Sequence, residues 1–151
     1  MQKRILLVDD DINLLQGLRR TLQTIPDQWE PVLAVNGQDA LRLLEHTPCE
    51  VVMTDILMPE QDGIEMIQEL RRRFPTVQVI AISGGGRIGT QHVLRLAAAF
   101  GAHRTLAKPF TREEFLAAIR GVLLDREAQR DSIVCQTYSA ASVLPRAREA
   151  Q

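Results

Sequence analysis

Lys3-Arg4-Ile5-Leu6-Leu7-Val8-Asp9-Asp10 begins as an apolar run and ends abruptly in two acids. A short run rich in branched side chains, without polar alternation, is the pattern of a strand covered on both faces, as in a parallel sheet. Helical spacing follows it. Leu15, Leu18, Leu22 and Ile25 recur every three or four residues, and Pro26-Asp27 brings that helix to an end. Strand, acids and helix make one βα unit.

Working outward, the unit recurs four times. Pro31 to Val35 predicts a second strand, Asn36-Gly37 a turn, and Ala40, Leu41 and Leu44 the apolar face of a short helix ending before Pro48. Val51 to Thr54 predicts a third strand running into Asp55. Ile64, Ile67, Leu70 and Phe74 then mark a helix stopped by Pro75. Val77 to Ile82 predicts the fourth strand, with Ser83 leading into a glycine-rich loop. Val93, Leu96, Ala97 and Phe100 mark a helix that Gly101 can terminate with a positive φ. Arg104 to Ala107 predicts a fifth strand, and Thr111 with Glu114 reads as a capping box opening a helix whose buried stripe is Phe115, Ala118, Ile119 and Val122. Parallel neighbours need crossover connections, so strict βα alternation implies a five-stranded parallel sheet with five helices on its two faces, a doubly wound α/β domain.

The 151 residues are 45% hydrophobic and 25% charged, which suits one domain with one core. The domain is expected over 1–124, with 125–151 a helix extension and flexible tail. Eighteen basic against nineteen acidic side chains give a net charge of −1 and no overall attraction to nucleic acid or an anionic membrane. Cys49 and Cys135 form no metal or disulfide spacing, nor do His46, His92 and His103. The four apolar residues Ile5 to Val8 are too short for a signal core or membrane span, so a soluble, cytoplasmic protein is expected.

Ligands of doubly wound sheets bind beyond the carboxyl ends of the strands. The residues expected there are Asp9 and Asp10, Asp55, Ser83 and Lys108. Three neighbouring carboxylates repel one another unless a cation compensates them, and Mg2+ favours such hard oxygen donors. A divalent metal, a lysine and a carboxylate nucleophile are together the groups of phosphoryl transfer through an aspartyl-phosphate. Taken singly, the acids could be solvated turn residues or helix caps and Ser83 a turn residue. Gly84-Gly85-Gly86-Arg87 lacks phosphate-loop spacing and reads as a flexible loop.

The motifs Leu6-Leu7-Val8-Asp9-Asp10-Asp11, Met53-Thr54-Asp55-Ile56-Leu57-Met58-Pro59 with Asp62-Gly63, Ala81-Ile82-Ser83 and Lys108-Pro109-Phe110 resemble the signature of response-regulator receivers over about the first 124 residues. The resemblance implies a flavodoxin-like strand order 2-1-3-4-5. It implies that Asp55 is the phosphoacceptor, that Asp10 binds Mg2+ directly and Asp9 directly or through water, and that the Leu57 backbone carbonyl joins them. It implies further that Lys108 binds a phosphoryl oxygen and that the Ser83 hydroxyl moves to another, shifting a population between two conformations. A sensor histidine kinase or phosphotransfer protein would be the donor. The face of the fourth helix, fifth strand and fifth helix would bind a partner or form a homodimer. Such a chain is no enzyme beyond its own phosphorylation and dephosphorylation.

Two other readings remain open. The chain is a receiver fragment of a larger transcriptional regulator, although the 27 residues after Leu124 are too few and insufficiently basic for a DNA-binding domain. Or it is a Mg2+-dependent aspartyl-phosphate phosphohydrolase, against which Asp55-Ile56-Leu57 lacks the second acid that such enzymes resemble one another in carrying. One departure from the receiver pattern matters: Thr105 stands where most receivers have an aromatic residue, so the glycine loop at residues 84–89 and the helix after it are expected to carry the output instead.

Overall fold

The computed structural model describes residues 2–58, 61–84 and 90–141. Five strands alternate with five helices: β1 (Arg4–Val8), α1 (Ile12–Gln23), β2 (Glu30–Ala34), α2 (Gly37–His46), β3 (Val51–Asp55), α3 (Gly63–Arg73), β4 (Gln78–Gly84), α4 (Thr90–Ala99), β5 (Arg104–Lys108) and α5 (Arg112–Ala141). The strands form one parallel sheet in the order β2-β1-β3-β4-β5. The chain crosses from β2 over β1 to reach β3, so the strand order reverses between β1 and β3. The crevice that such a reversal opens lies at their carboxyl ends.

Side chains alternate across the sheet. Leu6, Val8, Val52, Val79 and Ala81 face one core, closed by Ala40 and Leu44 of α2, Met66, Ile67 and Leu70 of α3, and Leu94 and Ala97 of α4. Ile5, Leu7, Met53, Ile80 and Ile82 face the other, closed by Leu15, Leu18 and Leu22 of α1 and Phe115, Ile119 and Val122 of α5. Both faces being covered explains why these strands read as unbroken apolar runs.

Several elements differ from the sequence reading. α1 ends at Gln23, before Ile25, yet Ile25 stays buried beneath the loop. Asn36 is an N-cap rather than a turn residue: its side chain accepts from the Asp39 amide at 2.8 Å. A two-residue antiparallel ribbon, Leu57–Met58 with Gln61–Asp62, follows β3. α4 is turned from its expected face: Leu94 and Ala97 are buried, whereas Leu96 and Phe100 are exposed, because the helix lies on β4 and β5 through the 94/97 stripe. Gly101 ends that helix with φ of 118° as expected. The glycine loop over 85–89 and the tail over 142–151 lie outside the described residues.

α5 opens on the predicted capping box, Thr111 Oγ1 accepting from the Glu114 amide at 3.1 Å and Glu114 Oε2 from the Thr111 amide at 3.0 Å. The helix continues without a break to Ala141, well past its last core residue, Leu123. Ion pairs tie it where it leaves the sheet: Arg104 to Asp125 at 3.0 Å and Lys3 to Glu127 at 3.2 Å. Both cysteines are free. Burial, followed by the nearby Glu50 charge, pushes the Cys49 thiol up to about 11, so it is a packed side chain and not a nucleophile. Among the described residues no helix is long and apolar enough to cross a membrane.

His103 has a structural role that the sequence reading missed. Its Nδ1 accepts from the Val79 amide at 2.9 Å while its own amide donates to the Val79 carbonyl at 2.8 Å, joining the starts of β4 and β5. Burial, then the neighbouring Arg71 charge, lowers its pKa from 6.5. The unfolded chain therefore takes up a proton before the folded one does. Stability is full above about pH 6.5 and is lost as pH falls from there through the folded value, by about 1.4 kcal/mol for each unit between the two. Urea unfolding at pH 7.5 and 5.5 should show the wild type losing more stability than His103→Asn, whose amide oxygen can accept without titrating.

Candidate functional site

Three strand ends converge at the crevice. β1 runs into Asp9 and Asp10, β3 ends on Asp55, and β5 ends on Lys108. Asp9 and Asp55 are only 3% and 5% exposed, while Asp10 faces solvent. Carboxylate oxygens of all three lie within 4.8 Å of one another. The Lys108 ammonium bridges the buried pair, donating to Asp9 Oδ2 at 2.7 Å and to Asp55 Oδ2 at 2.6 Å.

The remaining oxygens are held by the chain itself. Asp55 Oδ1 accepts from the Leu57 amide at 2.8 Å, and Asp9 Oδ1 from the Asp11 amide at 2.9 Å. Asp11 repeats the pattern, accepting from the Asn13 amide at 3.0 Å and capping α1. Each is an aspartate turned onto the amide two residues ahead, a local preference of this side chain. That regularity was present in the sequence as an Asp at each turn, and the amides of Leu57 and Asp11 were the functional groups missed.

Burial pushes the Asp55 carboxyl above its ordinary value. The Lys108 hydrogen bond and the Leu57 amide pull it back without cancelling the shift, and Asp9 adds to it. Burial works against the Lys108 charge too, but its bonds to Asp55 and Asp9 outweigh that and hold its pKa up. Ionised, three carboxylates against one ammonium leave two negative charges in a site where Asp9 and Asp55 are buried and Asp10 opens to solvent. The donor set is all hard oxygen, and a divalent cation supplies the missing charge, so these residues fit a metal of the Mg2+ type.

Ser83 stands beside them on β4, fully buried, one register step beyond the Asp55–Ile82 pair. Its Oγ has no hydrogen-bond partner among the described residues, an unmet polar group on a strand end next to the acid cluster. The structure thus brings Asp9, Asp10, Asp55 and Lys108 together with Ser83 on the adjoining strand end. Leu57 enters through its amide, with its side chain half exposed. Ile12 and Leu57 are exposed apolar residues near this edge.

Residues 5–120 match the family model described as the response regulator receiver domain. Response regulator MprA of Mycobacterium ulcerans is 33% identical over 153 residues, covering 99% of this chain and 63% of its own length. The chain therefore spans less than two thirds of that relative. A response regulator receiver domain protein from Clostridium thermocellum superposes with a TM-score of 0.75 at 27% identity, over 84% of this chain and 98% of that one. A CheY-like receiver domain protein from Methanospirillum hungatei shares the fold with a TM-score of 0.76 at 23% identity, over 85% and 99%.

The charge arrangement has a measurable consequence. Mg2+ should raise the melting temperature of the wild type in a concentration-dependent way. Asp55→Asn should melt higher than the wild type without metal, because a buried charge has been removed, and should lose most of the Mg2+ response. Equal Mg2+ shifts in the two proteins would place the cation elsewhere.

Proposed function

The chain belongs to the response regulator receiver domain family, and from that premise we propose that Asp55 accepts a phosphoryl group from the phosphohistidine of a sensor kinase or phosphotransfer protein. The observation that carries this reading is the Lys108 ammonium lying between Asp9 and Asp55 at the crevice. Mg2+ is the proposed metal, held by Asp9, Asp10, Asp55 and the Leu57 backbone carbonyl, and when bound it supplies positive charge to the phosphoryl oxygens.

An Asp55 carboxylate oxygen attacks phosphorus in line. The new P–O bond forms as the P–N bond to the donor imidazole breaks, and the electron pair stays on the ring nitrogen. The Leu57 amide fixes the carboxylate plane throughout. Lys108 gives up its bond to Asp55 Oδ2 and takes a phosphoryl oxygen, a move of one hydrogen-bond length for a flexible stem. Ser83 Oγ, buried and without a partner among the described residues, donates to another of those oxygens and draws the end of β4 with it. Chemistry of this kind extends only to the domain's own phosphorylation and dephosphorylation, in the cytoplasm where such donors act.

Output then falls to the α4–β5–α5 face. Leu96 and Phe100 are exposed apolar residues there, and Thr105 is exposed as well. They support a surface that binds a partner or a second copy. We assign residues 1–124 to the receiver and 125–151 to a helix extension and tail. A second reading, a receiver that forms part of a longer regulator, is favoured by the share of MprA that this chain spans.

The test is intact-mass measurement after incubation with a small phosphodonor and Mg2+. One phosphoryl adduct is expected in the wild type, none in Asp55→Asn, and slow formation in Lys108→Ala. An adduct that survives Asp55→Asn or forms equally well in a metal chelator overturns the reading.

A further inference from the structure

Gly84 is the last residue of β4 and pairs with Lys108 across the ladder. Neighbouring strands ordinarily run about 4.8 Å apart, which leaves room for a side chain at every paired position. Here a Cβ on Gly84 would stand 2.1 Å from Lys108 Cβ, and 3.0 Å from both Lys108 Cα and Cγ. Those atoms are the root of the Lys108 side chain and cannot swing aside as a flexible tip does. A glycine inside a strand marks such a close approach.

We propose that Gly84 is the positioning residue for Lys108, its missing side chain being what lets the lysine stem leave β5 toward Asp9 and Asp55. This rests on the phosphoacceptor reading of Asp55 and adds to it a residue that touches no reacting atom. The seat has two opposed effects. In the resting domain Lys108 occupies one oxygen each of Asp9 and Asp55 and its charge opposes that of an entering cation; during transfer the same ammonium holds a phosphoryl oxygen. Displacing it therefore eases metal binding and slows phosphorylation. Loosening the acid cluster as a whole would weaken both.

The experiment measures Mg2+ affinity by calorimetry and phosphorylation rate by intact mass with a small phosphodonor, in the full chain. Gly84→Ala should bind Mg2+ several-fold more tightly and phosphorylate at least roughly tenfold more slowly, as for the loss of a charged stabiliser. Lys108→Gly removes both the colliding Cβ and the ammonium, so adding Gly84→Ala to it should change neither quantity. If Gly84→Ala fails to fold, the paired variant must fold, because the 2.1 Å collision with Cβ is gone and the 3.0 Å approach to the Lys108 Cα that remains needs a shift of only about a few tenths of an ångström. Wild-type values in Gly84→Ala overturn the proposal, as do weaker Mg2+ binding, a further loss in the Lys108→Gly background, or failure of the paired variant to fold. A wild type that gains no Asp55-dependent adduct would count against the phosphoacceptor reading alone, since the Mg2+ comparison still tests the seat of Lys108.

Discussion

Two carboxylates buried at neighbouring strand ends are unfavourable unless a cation stands between them, and the Lys108 ammonium does so within hydrogen-bonding distance of both. The rest of the fold serves that contact. β1 and β3 must be adjacent for Asp9 and Asp55 to meet, and β5 must close the sheet with its end level with theirs. The parallel ladder sets that level, since residues at one height on successive strands share an edge. Helices on both faces then keep water from the middle of the sheet and leave the carboxyl edge as the way in.

Much of this was legible because the three inner strands, covered on both faces, leave apolar runs that end in polar residues, while the edge strands β2 and β5 are less buried and were marked by their place between helical patterns. Asp9, Asp10, Asp55 and Lys108 stand where the topology placed them. Less legible was the direction a helix turns. Leu96 and Phe100 share a helical face with Val93 and Ala97, yet the sheet is met by Leu94 and Ala97, because the small Ala97 allows close approach and the larger pair lies to the side. Periodicity finds a stripe but not which edge of it touches the sheet.

Groups supplied by the backbone were invisible for a different reason. An amide has no letter in a sequence, so the Leu57 and Asp11 donors emerged only with the turns that aim them. His103 was missed because its bond depends on β4 and β5 starting side by side. Gly84 was read as loop flexibility, when its position opposite Lys108 makes it a matter of space.

The length of α5 changes the scale on which the site is felt. Its N-cap Thr111 follows directly on Lys108-Pro109-Phe110, and its 30 residues form one uninterrupted helix. At 1.5 Å per residue the rod is about 45 Å long. Pivoted at the ion pairs of Asp125 and Glu127, roughly 22 Å from Ala141, a tilt of about five degrees would carry that end through about 2 Å. The stretch beyond those ion pairs has left the core behind, so a change in the direction of α5 set there would grow in proportion to its length.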